Sequence, residues 1–266
     1  MSRNRSLPHA RIRSDSTRKQ LSQNFLTDTH VARRLVRAAG IRADDLVVEI
    51  GPGDGMLTGH LLHYAHHILA YEKDRHYAEK LRARYARDRR IQVHHADIRQ
   101  ITPPRVRFIV VANIPFAAST DILRWCLAAP ELTSATLLTQ REFTRKYAGD
   151  YGRWTKLTVT QWPTVTMEMG ISVHRDRFRP IPRVDAAALR LRRREQPLLA
   201  PRELRGYRQL VELGFSGLGG CLATTLRLAY PTRQVRAACT IAGIALDEPV
   251  GLVSPDRWLT LYQALS

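Results

Sequence analysis

The sequence predicts an α/β fold, a doubly wound parallel sheet followed by a small helical domain. Three observations predict it. Short apolar runs alternate with helix-length segments from residue 27 onward, and the first run breaks into a glycine-rich turn directly before a helix. After Gln196-Pro197 the pattern is helical to the end. Strands alternating with helices at this spacing build parallel sheets, because each crossover between parallel strands needs room for a helix.

The elements follow in chain order. Residues 1–20 carry Arg3, Arg5, Arg11, Arg13, Arg18 and Lys19 against one acid, Asp15, and predict a flexible basic arm. From Thr27 the pattern turns helical, with Val31, Leu35 and Val36 on one side and Gly40 as the stop. Leu46–Ile50 is a short apolar strand ending in Gly51-Pro52-Gly53-Asp54-Gly55, and 56–64 reads as a helix. A strand over 68–71 precedes a charged helix over 74–87. Further strands fit 91–94, 108–111 and 135–138, with a helix over 119–127 between the last two. Residues 159–173 and 186–191 read as an antiparallel strand pair closing the sheet. Helices are expected over 202–213, 218–228, 232–241 and 255–265. The predicted organisation is a basic arm over 1–20, an α/β domain over 21–194 and a helical domain over 195–266.

Composition narrows the class. A chain of 266 residues with 44% apolar content can bury a substantial core, as one large domain or a large plus a small one. No run approaches a membrane span, and the N-terminus lacks the apolar stretch of a secretory signal, so the expectation is a cytoplasmic protein with no membrane partner, acting as a monomer. Cys126, Cys221 and Cys239 are far apart and match no zinc or disulfide spacing, so no metal is expected. Lys plus Arg number 42 against 24 Asp plus Glu, a net charge of +18. Such an excess points to a polyanionic partner, whose phosphates release counterions on neutralisation. Only Lys19, Lys73, Lys80, Lys146 and Lys156 are lysine, so an arginine-rich coding bias contributes to the excess.

Chemistry gathers at the predicted strand ends, where doubly wound sheets bind ligands. Gly51 and Gly53 allow a tight turn and close backbone approach to a ligand. A lone Gly-x-Gly serves dinucleotides equally well. Glu72 ends the second strand, where a carboxylate can accept both ribose hydroxyls. Asp97, before Ile98, ends the third and can accept from an adenine amine. Asn113-Ile114-Pro115-Phe116 ends the fourth, and a dehydrogenase has no use for it.

That tetrapeptide suits an adenine amine as substrate. The amine's lone pair is delocalised into the ring, so two acceptors aimed at its N–H bonds free it by favouring a tetrahedral nitrogen. The Asn113 side-chain carbonyl and the Ile114 backbone carbonyl can supply them. Pro115 stiffens the turn through its fixed φ, and Phe116 offers a face for an extruded base.

Ser22-Gln23-Asn24-Phe25-Leu26, the 49–55 loop, Glu72, Asp97 and Asn113–Phe116 together resemble the ribosomal RNA adenine N6-methyltransferases. The segment Phe178-Arg179-Pro180-Ile181-Pro182-Arg183-Val184 resembles that family's Phe-x-Pro-x-Pro-x-Val. The resemblance implies a Rossmann-like class I methyltransferase domain, S-adenosyl-L-methionine as cofactor and ribosomal RNA as partner. It implies that Gln23, Asn24 and Leu26 contact the cofactor from the N-terminal side. Gly51 and Gly53 would approach its methionine moiety, Glu72 its ribose, and Asp97 with Ile98 its adenine. Asn113 would bind the target amine beside the reactive methyl, and Phe116 and Phe178 would bracket the target base. Read without the resemblance, Phe178 is a packed core aromatic. Ile114, Phe116 and Ser22 resemble the Erm-type macrolide-resistance enzymes acting on 23S rRNA. The small-subunit (16S) dimethyltransferases, which typically carry Asn-Leu-Pro-Tyr, are the alternative.

Two other readings stand beside this one. A non-catalytic RNA-binding protein on the same fold would have no need of acidic and amide groups at successive strand ends. A DNA adenine methyltransferase would share the chemistry around Asn113, but no base-reading module is evident. Between Arg175 and Arg208 lie eleven arginines against four acids. Arg192, Arg193 and Arg194 are therefore expected to grip RNA phosphates beside the target pocket, unless the run is a solvated basic hinge.

Overall fold

A computed structural model describes residues 24–218 and 220–266. The expected basic arm and Gln23 lie outside the described residues. The strands are β1 (Phe25–Leu26), β2 (Leu46–Ile50), β3 (His67–Glu72), β4 (Ile91–His95), β5 (Phe108–Asn113), β6 (Leu132–Gln140), β7 (Val165–Val173), β8 (Phe178–Arg179) and β9 (Ala186–Arg193). The helices are α1 (Thr29–Ala38), α2 (Met56–Leu61), α3 (Arg75–Arg84), α4 (Ser119–Ala128) and α5 (Arg141–Ala148) in the first half. They continue as α6 (Lys156–Gln161), α7 (Leu204–Gly214), α8 (Leu222–Leu226), α9 (Thr232–Ile241) and α10 (Pro255–Leu265).

Among the described residues, seven strands form one sheet in the order β4-β3-β2-β5-β6-β9-β7. The first five are mutually parallel, and β9 runs antiparallel to both β6 and β7. Strand order reverses between β2 and β5, which creates the crevice where such sheets bind ligands. Alternating side chains of one strand enter different cores: Val48 and Val110 join one cluster, and Val47 and Val111 another. Both faces of the sheet are therefore covered, which is why the central strand β5 reads as an uninterrupted apolar run. A third cluster, around Tyr207, Leu226 and Trp258, is the core of the helical part.

The helix starts follow local chemistry. Asp28 accepts from the backbone amides of His30 and Val31 to cap α1, and Asp74 accepts from His76 to cap α3. Pro255 opens α10, where its missing N–H costs nothing.

One expectation needs correction, and two elements were not foreseen. Residues 159–164 are not strand: 159–161 are the end of α6 and 162–164 form the turn into β7. Thr155 caps that helix by accepting from the Thr158 amide, and the Tyr207 hydroxyl donates to the Val159 carbonyl at 3.0 Å. Val159 thereby belongs to the helical core although it precedes residue 195. Helix α5 is absent from the sequence pattern, because its sequence REFTRKYA is short and heavily charged. The β1–β8 ribbon is absent from it as well, since two-residue strands carry no periodicity.

Candidate active site at the carboxyl ends of the strands

Register assembles the site. Ile50 pairs with Tyr71 on one side and Ala112 on the other, so the turns after β2, β3 and β5 meet at one end of the sheet. Gly51, Gly53 and Gly55 all have positive φ, at 66°, 55° and 83°. That left-handed run lets the chain turn from β2 into α2. The resulting cleft encloses about 1030 Å³, open solvent at its mouth included. Among its lining residues are Asn24, Gly51, Gly53, Glu72, Asp97, Ile98, Asn113, Ile114 and Pro115.

Glu72 is buried and its orientation is fixed. One carboxylate oxygen accepts from the Gly53 amide at 2.9 Å and the other from Asp74 at 2.8 Å. Burial raises its pKa above the ordinary carboxylate value, and the two backbone bonds oppose that rise. Each oxygen keeps a further lone pair for a diol in the cleft.

Asp97 is already engaged. Arg99 meets it bidentately at 2.9 and 2.5 Å, and Lys73 approaches at 3.2 Å. The Arg99 hydrogen bonds come first among the causes that hold this carboxyl far below its usual range, so it stays an anionic acceptor. Ile98 is buried beside it.

Asn113 ends β5 with its Nδ2 donating to the Asn24 carbonyl at 2.9 Å. Ile114 is buried, its amide bonded to the Leu138 carbonyl at 3.0 Å. Phe116 opens a 3-10 turn, half-buried against the cluster that contains Leu26 and Phe178.

Two expectations about substrate binding fail on geometry. Phe178 has 0% of its surface exposed, so it presents no wall to a base. The reason is the β1–β8 ribbon, in which Leu26 pairs with Phe178 and both enter the core. Leu26 accordingly lies behind the main cleft, lining a small recess with Glu49, Gly51 and Asn113.

The Arg192–Arg194 cluster is at the wrong end of the sheet. Asn113 is level with Leu138, whereas Arg192 pairs with Ser134. The antiparallel β9 thus carries the cluster roughly 13 Å down the sheet, away from the cleft. Two of the three arginines are also committed elsewhere. Arg193 donates to the carbonyls of Leu132 and Ala129 at 3.0 and 2.7 Å. Arg194 donates to the Trp162 carbonyl at 3.0 Å and lies over its ring.

Sequence reasoning missed three polar or aromatic lining residues of the main cleft, Tyr71, Lys73 and Arg99, and gave no separate role to Phe25 or Glu49, although both stand inside its motifs. Tyr71 and Lys73 flank Glu72 and Arg99 follows Asp97 and Ile98, which was the available signal. Phe25 is the most constrained, since a Cβ on Gly53 would come within 2.7 Å of its ring. Among the described residues no cluster of His, Cys, Asp or Glu could hold a metal.

The donor set fits one kind of ligand: a carboxylate for a ribose diol, a fixed anionic acceptor with apolar neighbours for an adenine, and a left-handed glycine turn for a close-lying tail. Sheet order and site together define a Rossmann-like, S-adenosylmethionine-dependent methyltransferase. The model of the family described as ribosomal RNA adenine dimethylase matches residues 14–266. The chain belongs to that family, whose reaction is methylation of adenine in ribosomal RNA. It is 45% identical to an rRNA adenine N-6-methyltransferase of Aeromicrobium erythreum, over 96% of this chain and 75% of the relative. A crystal structure of the 23S rRNA methyltransferase ErmE superposes with a TM-score of 0.88 at 42% identity, covering 91% of this chain and 99% of that one. A ribosomal RNA small subunit methyltransferase A of Geobacter metallireducens is 31% identical, over 93% of this chain and 95% of the relative.

Proposed function

We propose that this enzyme transfers a methyl group to N6 of an adenine in 23S rRNA and thereby confers macrolide resistance, acting as a cytoplasmic monomer. The observation that carries the chemistry is the orientation of Asn113. With Nδ2 committed to Asn24, the side-chain oxygen is the end left to accept from a substrate amine. Bound S-adenosylmethionine supplies an electrophilic sulfonium methyl. Glu72 and Asp97 hold the ribose and adenine of that cofactor, and the turns at Gly51 and Gly53 approach its methionine part. Asn113 and the Ile114 carbonyl hold the amine's two N–H bonds, so catalysis is positioning and electrostatics without a nucleophilic side chain. Phe116 supplies the stacking face.

The 23S assignment is supported by greater similarity to ErmE than to the small-subunit relative, and by Ile114 and Phe116 within the tetrapeptide. Tritiated methyl transfer to purified large- and small-subunit rRNA, with the modified base mapped by primer extension, tests it. Incorporation into 23S rRNA alone is the expected result. Incorporation into 16S rRNA would transfer the assignment to the small-subunit dimethyltransferases.

A further inference from the structure

The loop joining α5 to α6 holds a feature that methyl transfer does not use. Tyr151 is the one non-glycine with positive φ among the described residues, at 74°. Gly149 and Gly152 beside it have φ of 73° and 63°. A bulky L-residue is disfavoured there because its Cβ crowds the following carbonyl. The loop is tied down on either side of Tyr151. The Trp154 ring fills the space over Gly149, where a Cβ would meet it at 2.1 Å. The Trp154 amide donates to the Gly251 carbonyl at 2.7 Å, which ties the loop to the helical part.

The Tyr151 ring itself contributes nothing to a core. It is 58% exposed, and its hydroxyl has no hydrogen-bond partner among the described residues. What the conformation does achieve is a stack: the Arg145 guanidinium lies 3.4 Å from the ring centroid. Arg145 is held in turn by ion pairs to Asp150 and Glu142. The result is a two-layer surface, with the guanidinium stacked on a ring that stays more than half exposed. Arg141, Lys146 and Arg153 are exposed around it. Helix α5 starts directly after Gln140 at the cleft end of β6, so the loop lies about 12 Å of helix away.

We propose that the Tyr151–Arg145 pair is a second nucleobase platform, stacking an unpaired base of the rRNA a few nucleotides from the target adenine. Unpaired bases are recognised on flat aromatic and guanidinium faces, and every base has such a face to offer. The platform grips without reading sequence. It rests on rRNA being the substrate and not on which subunit supplies it.

The test uses the full chain and whichever naked rRNA the wild type methylates. Tyr151→Gly removes the ring at a position where glycine is at ease, so thermal unfolding should stay level or rise. Its rRNA affinity should fall about tenfold, within the range for losing one stacked base. KM for RNA should rise while kcat at saturating RNA and S-adenosylmethionine affinity are kept. The salt slope of binding should not change, because a ring releases no counterions. Tyr151→Phe should bind within about twofold of wild type, since its face is intact. Wild-type rRNA affinity in Tyr151→Gly would overturn the proposal and leave the ring to a ribosomal protein. Equal loss in both variants would also overturn it, by making the hydroxyl the contact. A lowered Tm with weakened cofactor binding would assign the ring to the fold instead. Failure of the wild type on 23S rRNA bears on the subunit assignment alone.

Discussion

The Nδ2 of Asn113 donates to the backbone carbonyl of Asn24 at 2.9 Å, and that bond decides which end of the amide serves the reaction. A backbone carbonyl can only accept, so the amide nitrogen must face it and the oxygen is freed. The segment leading into β1 thus orients a catalytic group on β5. Asn113→Ala should abolish turnover while leaving S-adenosylmethionine affinity within about tenfold, because the interaction matters in the transition state. Asn113→Asp keeps an acceptor but sets a carboxylate against the Asn24 carbonyl, and should lose most activity too. Calorimetry beside tritium incorporation separates binding from turnover. Near wild-type methylation by either variant would refute the assigned role.

Gly53 is predicted to be irreplaceable for two separable reasons. Its φ of 55° is costly for any side chain, and an added Cβ would press on the Phe25 ring. Gly53→Ala should lose about 1–2 kcal/mol of stability from the backbone alone. It should also weaken cofactor binding by displacing Phe25 and the amide bonded to Glu72. Adding Phe25→Ala should relieve the clash and leave the backbone cost. A singly substituted protein with unchanged Tm and cofactor affinity would contradict the geometry.

Glu49 should make stability fall as pH rises. It is 1% exposed, with one carboxylate oxygen accepting from Thr58 and the other without a partner among the described residues. Burial pushes its pKa up to about 8. A pKa raised on folding means stability is fullest below the unfolded value of 4.5 and is lost as pH climbs through the folded one. The loss should total a few kcal/mol, at ~1.4 kcal/mol for each pH unit between the two values. Glu49→Gln should flatten that part of the curve, so melting temperatures of the two proteins should diverge from about pH 5 to about pH 9. Parallel curves would show that Glu49 is not buried as described.

How far the sequence reaches is clearest at the strand ends. Glu72, Asp97 and Asn113 could be placed because strand-end position is itself a sequence property, and the register then brings them into one cleft. Phe178 could not, because wall and core aromatics have the same local pattern and a two-residue ribbon decided between them. The arginine run misled for a related reason. Its charge is plain in the sequence, but the direction of β9 divides it, leaving Arg175–Arg183 near the cleft and Arg192–Arg194 below. Lys73 and Arg99 were hidden differently: their value comes from closing on Asp97, a tertiary arrangement that neighbouring sequence does not declare.

Arg193 should behave as a structural residue. It is half-buried, with its guanidinium holding carbonyls of the α4–β6 turn. Arg193→Ala should cost roughly 1–3 kcal/mol, the scale of leaving buried acceptors unsatisfied. Its rRNA affinity at temperatures where it remains folded should match wild type. Denaturant unfolding and RNA binding on the same preparation give both readings. A stable variant with weak RNA binding would restore the grip to this cluster.

The grip on RNA phosphate should instead lie on the loop between β7 and β9. That loop leaves β7 at Val173 and re-enters the sheet at Ala186, which pairs with Gln140 at the cleft end of β6. Its β8 segment pairs with β1, and Asn24 and Phe25 at the start of β1 line the cleft. Arg175, Arg177, Arg179 and Arg183 on it are all exposed. They are not equivalent. Arg177 is paired with Asp28 at 2.9 Å, and Arg179 is folded back onto the carbonyls of Asp176 and Phe178. Arg183 makes no ion pair among the described residues, and the Arg175 guanidinium reaches only the Arg183 carbonyl, at 3.3 Å, while the Arg175 backbone amide donates to Asp185. These two are free to meet phosphate oxygens, and arginine's planar fork suits that pairing. Reversing both to glutamate should weaken rRNA binding strongly and flatten its dependence on salt, by about 0.7 in log–log slope for each single-strand phosphate no longer neutralised. S-adenosylmethionine affinity should hardly move, since neither residue lines the cofactor cleft. Arg192→Glu, an exposed charge reversal below the cleft, is the control for a purely long-range effect. Binding isotherms at several salt concentrations decide the matter, because a single salt cannot separate a broken phosphate pairing from screening. If Arg192→Glu lowers affinity and slope as much per charge as the loop pair does, the loop does not touch the RNA and only net charge is being felt.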